Sequence, residues 1–184
     1  YLTPENTVPK EMRPYPWESC IIMGGGWSYS FNPVFKSGRE LVHMLIDIVA
    51  KGGNLLLNIG PSPEGTWPAD AYDRLEKIGS WMDINSEAIY STRKIAPYYT
   101  GPIYYTQAKD GSAVYAIYTL KEGEQLPETI ELNDVELPTK PKIQVIGSKT
   151  KAKLIKTTLG YQISVPKKLQ NTIPHKYGVV FKIN

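Results

Sequence analysis

Near residue 92 the hydrophobic pattern of this chain changes period, so one kind of layer cannot accommodate both halves. Before that point short apolar runs alternate with stripes at helical spacing; after it only short runs remain, separated by turn residues. The run Trp17 to Met23 reads as a buried strand ending in Gly24-Gly25-Gly26. A loop through Trp27 and Tyr29 to Phe35 leads to a helix that Ser37 can cap, with Glu40 three residues later completing a capping box. Leu41, Met44, Leu45 and Ile48, flanked by Val42, Ile46 and Val49, form its wide apolar stripe, and Gly52-Gly53 stops it. Asn54 to Ile59 is almost wholly apolar, the pattern of a strand buried on both faces in a parallel sheet. A second helix is expected over Ala69 to Asn85, with Ala71, Leu75, Ile78 and Met82 along one face.

Strand, loop, helix, strand, loop, helix predicts α/β architecture with functional loops at the strand C-termini. Two such units cannot by themselves close a barrel. In the second half, runs at Ile103 to Gln107, Ala113 to Leu120, Thr129 to Leu132, Lys142 to Ile146, Lys153 to Lys156, Tyr161 to Val165 and Gly178 to Ile183 predict an antiparallel β-sandwich. Asp110-Gly111 and Leu159-Gly160 are expected hairpin turns. Charge divides at the same place. Residues 1–92 hold 7 Lys+Arg against 11 Asp+Glu, and residues 93–184 hold 14 against 7, so two domains are expected, 1–92 and 93–184.

Several function classes drop out. One cysteine, Cys20, and two histidines, His43 and His175, cannot build a disulfide framework or a Cys/His zinc cluster, so no metal is expected. Neither glycine cluster fits a phosphate-binding fingerprint, and no cofactor is implied. Lys142, Lys149, Lys151, Lys153 and Lys156 are dispersed among alternating apolar positions, which fits the solvated face of strands and not a nucleic-acid surface. The most apolar window, Leu41 to Ala50, is far shorter than the roughly 18 residues of a membrane span, and nothing reads as a signal peptide. The start at Tyr1, within the Pro-rich loop 1–16, reads as a break in a longer polypeptide.

What chemistry remains lies in loop carboxylates beside aromatic residues: Glu5 in Tyr1-Leu2-Thr3-Pro4-Glu5, Glu18 after Trp17, and Glu64 ahead of Trp67. A carboxyl group in an apolar, ring-lined pocket can act as a general acid near neutrality. Paired carboxylates beside aromatic platforms suit glycoside hydrolysis, although spacing alone leaves other readings open. In order and spacing, the segments Tyr1 to Glu5, Trp17-Glu18-Ser19-Cys20, Trp27-Ser28-Tyr29, Gly53 to Pro61, Glu64-Gly65, Gly79-Ser80-Trp81 and Asn85 to Tyr90 resemble the α-L-fucosidases of glycoside hydrolase family 29. The resemblance is dense over residues 1–92 and weak beyond. It implies the last units of an irregular (β/α) barrel followed by a C-terminal β-sandwich, and hydrolysis of terminal α-L-fucose with retention of configuration.

By the same resemblance Glu5 is the acid/base, the nucleophilic Asp lies outside these residues, and the N-terminal barrel portion is needed to complete the site. Trp27 is expected to pack on the fucose ring, with Ser28 standing where the family often has glycine. Glu18, Asn58 and Glu64 are expected to orient site residues, Glu18 also being the competing acid. The partner is a fucosylated oligosaccharide or glycoconjugate, and the family implies an extracellular, periplasmic or lysosomal location. The alternatives are a sandwich that binds carbohydrate through Tyr98-Tyr99 and Tyr104-Tyr105, and a fragment that only supports the barrel.

Overall fold

A computed structural model describes all residues, 1–184, as two compact units, Tyr1–Asp83 and Ile84–Asn184. In the first unit, strand β1 (Glu18–Ile22) pairs in parallel with β2 (Asn54–Asn58), and helix α1 (Gly38–Ala50) connects them. Helix α2 (Ala69–Asn85) follows β2. The parallel pair needs this crossover, because strands running the same way cannot be joined by a tight turn.

Local chemistry sets both ends of α1. The Ser37 hydroxyl accepts a hydrogen bond from the Glu40 backbone N–H (3.1 Å), and the Glu40 carboxylate accepts one from the Ser37 N–H (2.7 Å). These bonds from Ser37 hold the Glu40 carboxyl below its ordinary pKa. At the other end Gly52 takes a left-handed φ of 82° and the Gly53 N–H returns to the Ile48 carbonyl (2.9 Å). Gly53 is required for a second reason: a Cβ there would lie 2.4 Å from the ring of Trp17, which is fully buried.

The buried face of α1 is Leu41, Val42, Ile46, Ile48 and Ala50. Each of its larger side chains contributes about 1.5–3 kcal/mol by leaving water. Leu41 and Met23 meet Ala71 of α2, with Leu57, Ile59, Leu75 and Ile78 packed around them. Strand β2 departs from the expectation of burial on both faces. Leu57 packs beneath the helices, but Leu56 is 45% exposed, because residues alternate sides along a strand and only the helix side of β2 is covered.

The second unit is antiparallel throughout. Strands β3 (Thr92–Thr100), β4 (Ile103–Ala108), β5 (Val114–Thr119), β6 (Thr129–Asn133), β7 (Ile143–Val145), β8 (Lys153–Lys156), β9 (Gly160–Ser164) and β10 (Gly178–Ile183) form two sheets. Their orders are β3-β4-β5-β10-β7 and β6-β9-β8. Tyr105, Val114, Ala116 and Phe181 of the larger sheet share one core with Ile130, Leu132 and Ile163 of the smaller, which makes the unit a β-sandwich. Both expected hairpin turns form, with Gly111 at φ 75° and the Thr157 N–H bonded to the Gly160 carbonyl (3.0 Å). Lys142, Lys149, Lys151, Lys153 and Lys156 are all exposed, and no helix in the chain is long and apolar enough to cross a membrane.

Sequence pattern did not indicate β3 or the short helix α3 (Lys167–Asn171). Strand β3 contains Pro97, which cannot donate to a ladder, and the strand is accordingly at the sheet edge with its register shifting between Lys94 and Tyr99. The units divide at 83/84 where the charge pattern placed the boundary near 92. Residues 86–91 are held by the sheet: the buried Thr106 hydroxyl donates to the Ala88 carbonyl (2.8 Å), and Lys182 of β10 pairs with Glu87 (2.6 Å).

Candidate active site

A third extended segment completes the parallel layer. The Glu18 N–H donates to the Leu2 carbonyl (2.9 Å), the Cys20 N–H to the Pro4 carbonyl (3.0 Å), and the Asn6 N–H to the Cys20 carbonyl (2.8 Å). Residues 2–6 thus run alongside β1 on the edge opposite to β2, with Glu5 paired to Cys20. Prolines and a missing apolar run hide this segment from a periodicity reading. Asn6 adds one more rung, its side-chain oxygen accepting from the Ile22 N–H (2.9 Å) while its backbone takes a left-handed φ of 49°. Asn is one of the few residues that tolerates that conformation. Glu5 is therefore pinned on both sides, through Pro4 and Asn6, to the same residue of β1.

Register determines which side chains share a face. Paired residues of neighbouring parallel strands point the same way, so Glu5, Cys20 and Leu56 form one row, Glu18 and Asn54 a second, and Ile22 and Asn58 a third. All three rows lie opposite to the helix-covered side that carries Ile21 and Leu57. Glu5 is exposed, so these residues alone do not enclose it in the apolar pocket expected for it. Glu18 opens β1 at the end away from the loops, on the same face as Glu5 and one row from it.

The loop between β1 and α1 is closed at its base by the bridge Gly24–Phe35, the Lys36 N–H to Met23 carbonyl bond (3.0 Å) and the Lys36 ammonium on the Ile22 carbonyl (2.6 Å). Its far part carries Trp27, which is 43% exposed. Asn58, the last residue of β2, donates its amide to the Trp27 carbonyl (3.0 Å) and so ties the backbone of that loop to the strand. Gly60 adds a contact that sequence reasoning missed: a Cβ there would lie 2.3 Å from the Ser28 carbonyl carbon and 2.6 Å from the Tyr29 nitrogen. Ser28 is not at positive φ, so its backbone does not call for glycine.

Glu64 stands exposed in the loop after β2, whose turn is held by the Gly65 N–H on the Ser62 carbonyl (2.9 Å) and by the Ser62–Thr66 hydroxyl pair (3.0 Å). It lines a cleft together with Tyr29 and Trp67. His43 is half-buried on α1, and no grouping of His, Cys, Asp and Glu in the chain could hold a metal ion. Of the sandwich tyrosines, Tyr105 is fully buried with its hydroxyl bonded to Thr100 (2.8 Å), Tyr98 is 9% exposed, and Tyr99 stacks on Tyr104 at 6.0 Å. Tyr99, 47% exposed, also packs against Tyr98 (4.8 Å between centroids).

One unit has parallel strands whose loops carry the backbone-pinned Glu5 and the exposed Trp27, and the other is an antiparallel sandwich, a combination that suits a glycoside hydrolase. The family described as alpha-L-fucosidase matches residues 1–87. The plasma alpha-L-fucosidase of Rattus norvegicus is 34% identical over 125 residues, covering 64% of this chain and 27% of the rat protein. The tissue alpha-L-fucosidase of Homo sapiens is 30% identical over 186 residues, covering 95% of this chain and 38% of the human protein. The Thermotoga maritima alpha-fucosidase, solved in complex with fucose, superposes with a TM-score of 0.79 at 27% identity over 94% of this chain and 41% of that one. In sequence and fold the chain matches the C-terminal portion of α-L-fucosidases, glycoside hydrolases of family 29. It spans roughly a quarter to two-fifths of the length of these relatives.

Proposed function

We propose that the chain supplies the C-terminal part of a retaining exo-α-L-fucosidase, in which the parallel layer of residues 2–6, β1 and β2 is the last section of a (β/α) barrel. Terminal α-L-fucose on a glycoconjugate is the substrate. The carboxyl group of Glu5 donates a proton to the glycosidic oxygen as an Asp outside these 184 residues attacks the anomeric carbon. The carbon–oxygen bond breaks, the aglycone leaves as an alcohol, and fucose remains esterified to the Asp. Glu5, now a carboxylate, takes a proton from water as that water attacks the same carbon, which frees fucose and restores both side chains. Trp27 offers its exposed ring to the apolar face of the fucose. Action on such glycans belongs to an extracellular, periplasmic or lysosomal compartment.

The observation that carries this reading is the double backbone pinning of Glu5 against Cys20. A proton donor works only when held in a fixed place. Glu5→Ala in the complete enzyme is expected to slow natural fucosides far more than aryl fucosides with good leaving groups, because only the former need protonation as they depart. Added azide should partly restore turnover and yield fucosyl azide. An unchanged rate on natural fucosides removes Glu5 from the role.

A further inference from the structure

The parallel ladder between residues 2–6 and β1 stops at Ile22, and side chains stop it. Up to that point the pattern is regular. The Glu18 N–H donates to the Leu2 carbonyl and the Cys20 N–H to the Pro4 carbonyl, so the next rung would run from the Ile22 N–H to the backbone carbonyl of Asn6. It runs instead to the Asn6 side-chain oxygen (2.9 Å), while the Asn6 backbone turns away at a φ of 49°. The Ile22 carbonyl, which a continuing strand would reach from Val8, is taken by the Lys36 ammonium (2.6 Å). Just beyond the turn the Thr7 carbonyl accepts from the hydroxyl of the fully buried Ser19 (2.8 Å), which leads the chain off the ladder.

This ending bears on Glu5 because the ladder around it is thin. Pro4 has no N–H to give to the Glu18 carbonyl, so one rung ahead of Glu5 cannot form. Glu5 and Asn6 are both exposed, so hydrogen bonds and not close packing set their place. What remains is the Cys20 rung to Pro4 on one side of Glu5 and the two bonds of Asn6 on the other. Asn tolerates the left-handed backbone and carries an acceptor of its own, so it can turn the chain and still fill the rung that the turn removes. We propose that Asn6 is a positioning residue for Glu5: its side-chain oxygen stands in for the backbone carbonyl of the missing rung and fixes the carboxyl at the end of the layer. The inference rests on the reading of Glu5 as the acid/base.

The test uses the complete enzyme and kcat/KM, which covers only the steps up to the covalent intermediate. Asn6→Gly keeps the left-handed backbone but loses the acceptor. It is expected to lower kcat/KM about tenfold more for 2′-fucosyllactose, whose departing oxygen needs the proton, than for a nitrophenyl α-L-fucoside, which leaves readily without it. Asn6→Asp keeps both the backbone conformation and an acceptor oxygen, and is expected to recover most of that difference. Amide hydrogen exchange at Ile22 should be faster in Asn6→Gly and not in Asn6→Asp. Ser19→Ala cuts the tie at Thr7 but leaves the Asn6 rung, so it should lower stability with equal effects on the two fucosides. Equal losses on both fucosides in Asn6→Gly, no recovery in Asn6→Asp, unchanged exchange at Ile22, or the same selectivity in Ser19→Ala overturns the role of Asn6. Wild-type rates in Glu5→Ala overturn instead the acid/base reading, and the exchange measurement, which needs no turnover, tells the two failures apart.

Discussion

Gly60→Ala is the most discriminating perturbation of this site, because it moves the Trp27 loop without touching a group that contacts substrate. The new methyl would sit 2.3 Å from the Ser28 carbonyl carbon, 2.5 Å from its oxygen and 2.6 Å from the Tyr29 nitrogen. Ordinary carbon contacts begin near 3.5 Å, so the loop has to retreat by about 1 Å. The Asn58 amide to Trp27 carbonyl bond, 3.0 Å long, would then stretch to about 4 Å and cease to be a hydrogen bond. Losing one such partly exposed bond costs about 0.5–1.5 kcal/mol, and replacing glycine restrains the unfolded chain by about 0.4–1 kcal/mol in the opposite direction. The crowded atoms are all backbone, so the retreat also costs about 1–3 kcal/mol of strain, and a net loss of that order is expected in urea unfolding.

Activity should not follow stability. A displacement of about 1 Å in a positioning element can cost about a hundredfold in rate. The assay is kcat/KM on an aryl α-L-fucoside with the complete enzyme, paired with urea unfolding of the same variant. Trp27→Ala and the double variant complete a thermodynamic cycle. If Gly60 acts through the placement of Trp27, the double variant is no slower than Trp27→Ala alone. Unchanged kinetics in Gly60→Ala, or a double variant whose losses simply add, would refute the reasoning.

Two other outcomes concern the units themselves. Gly53→Ala drives a methyl into the buried Trp17 ring at 2.4 Å, where no solvent-side retreat exists, so a loss of about 1–3 kcal/mol is expected in urea unfolding; a variant as stable as the wild type counts against that contact. In the sandwich, burial and then the hydrogen bond to Glu124 push the Tyr118 phenol up to about 12. Its unfolded pKa is about 10, so this contribution is fully present below that value and is lost as pH rises through the interval to 12. Tyr118→Phe should make the alkaline decline in stability shallower, and an identical slope between about pH 10 and 12 would show that the phenol is not responsible.

Much of the first unit is legible locally. Ser37 with Glu40, and Gly52 with Gly53, announce the ends of α1, since caps and stops act over three or four residues. The hairpin at Gly111 is equally local. Strand β3 was hidden because Pro97 contradicts a strand unless the strand lies at an edge, and edge position is a property of the assembled sheet. Glu18 shows the same limit: its neighbours suggest a site residue, but only the β1–β2 register reveals which end of the layer it occupies.

What the sequence by itself determined is the class of each half and the short list of carboxylates and rings from which a sugar site could be made. Periodicity and capping are encoded within a turn or two of chain, where composition is enough to decide. Tertiary structure alone decided which of those residues act together. Glu5 is pinned by Cys20, fifteen residues away, and Trp27 by Asn58, thirty-one residues away. Gly60 looks like any turn glycine until the Ser28 backbone closes over it. Contacts of that kind depend on how parallel strands are registered and how their loops fold back, and no stretch of neighbouring residues specifies them.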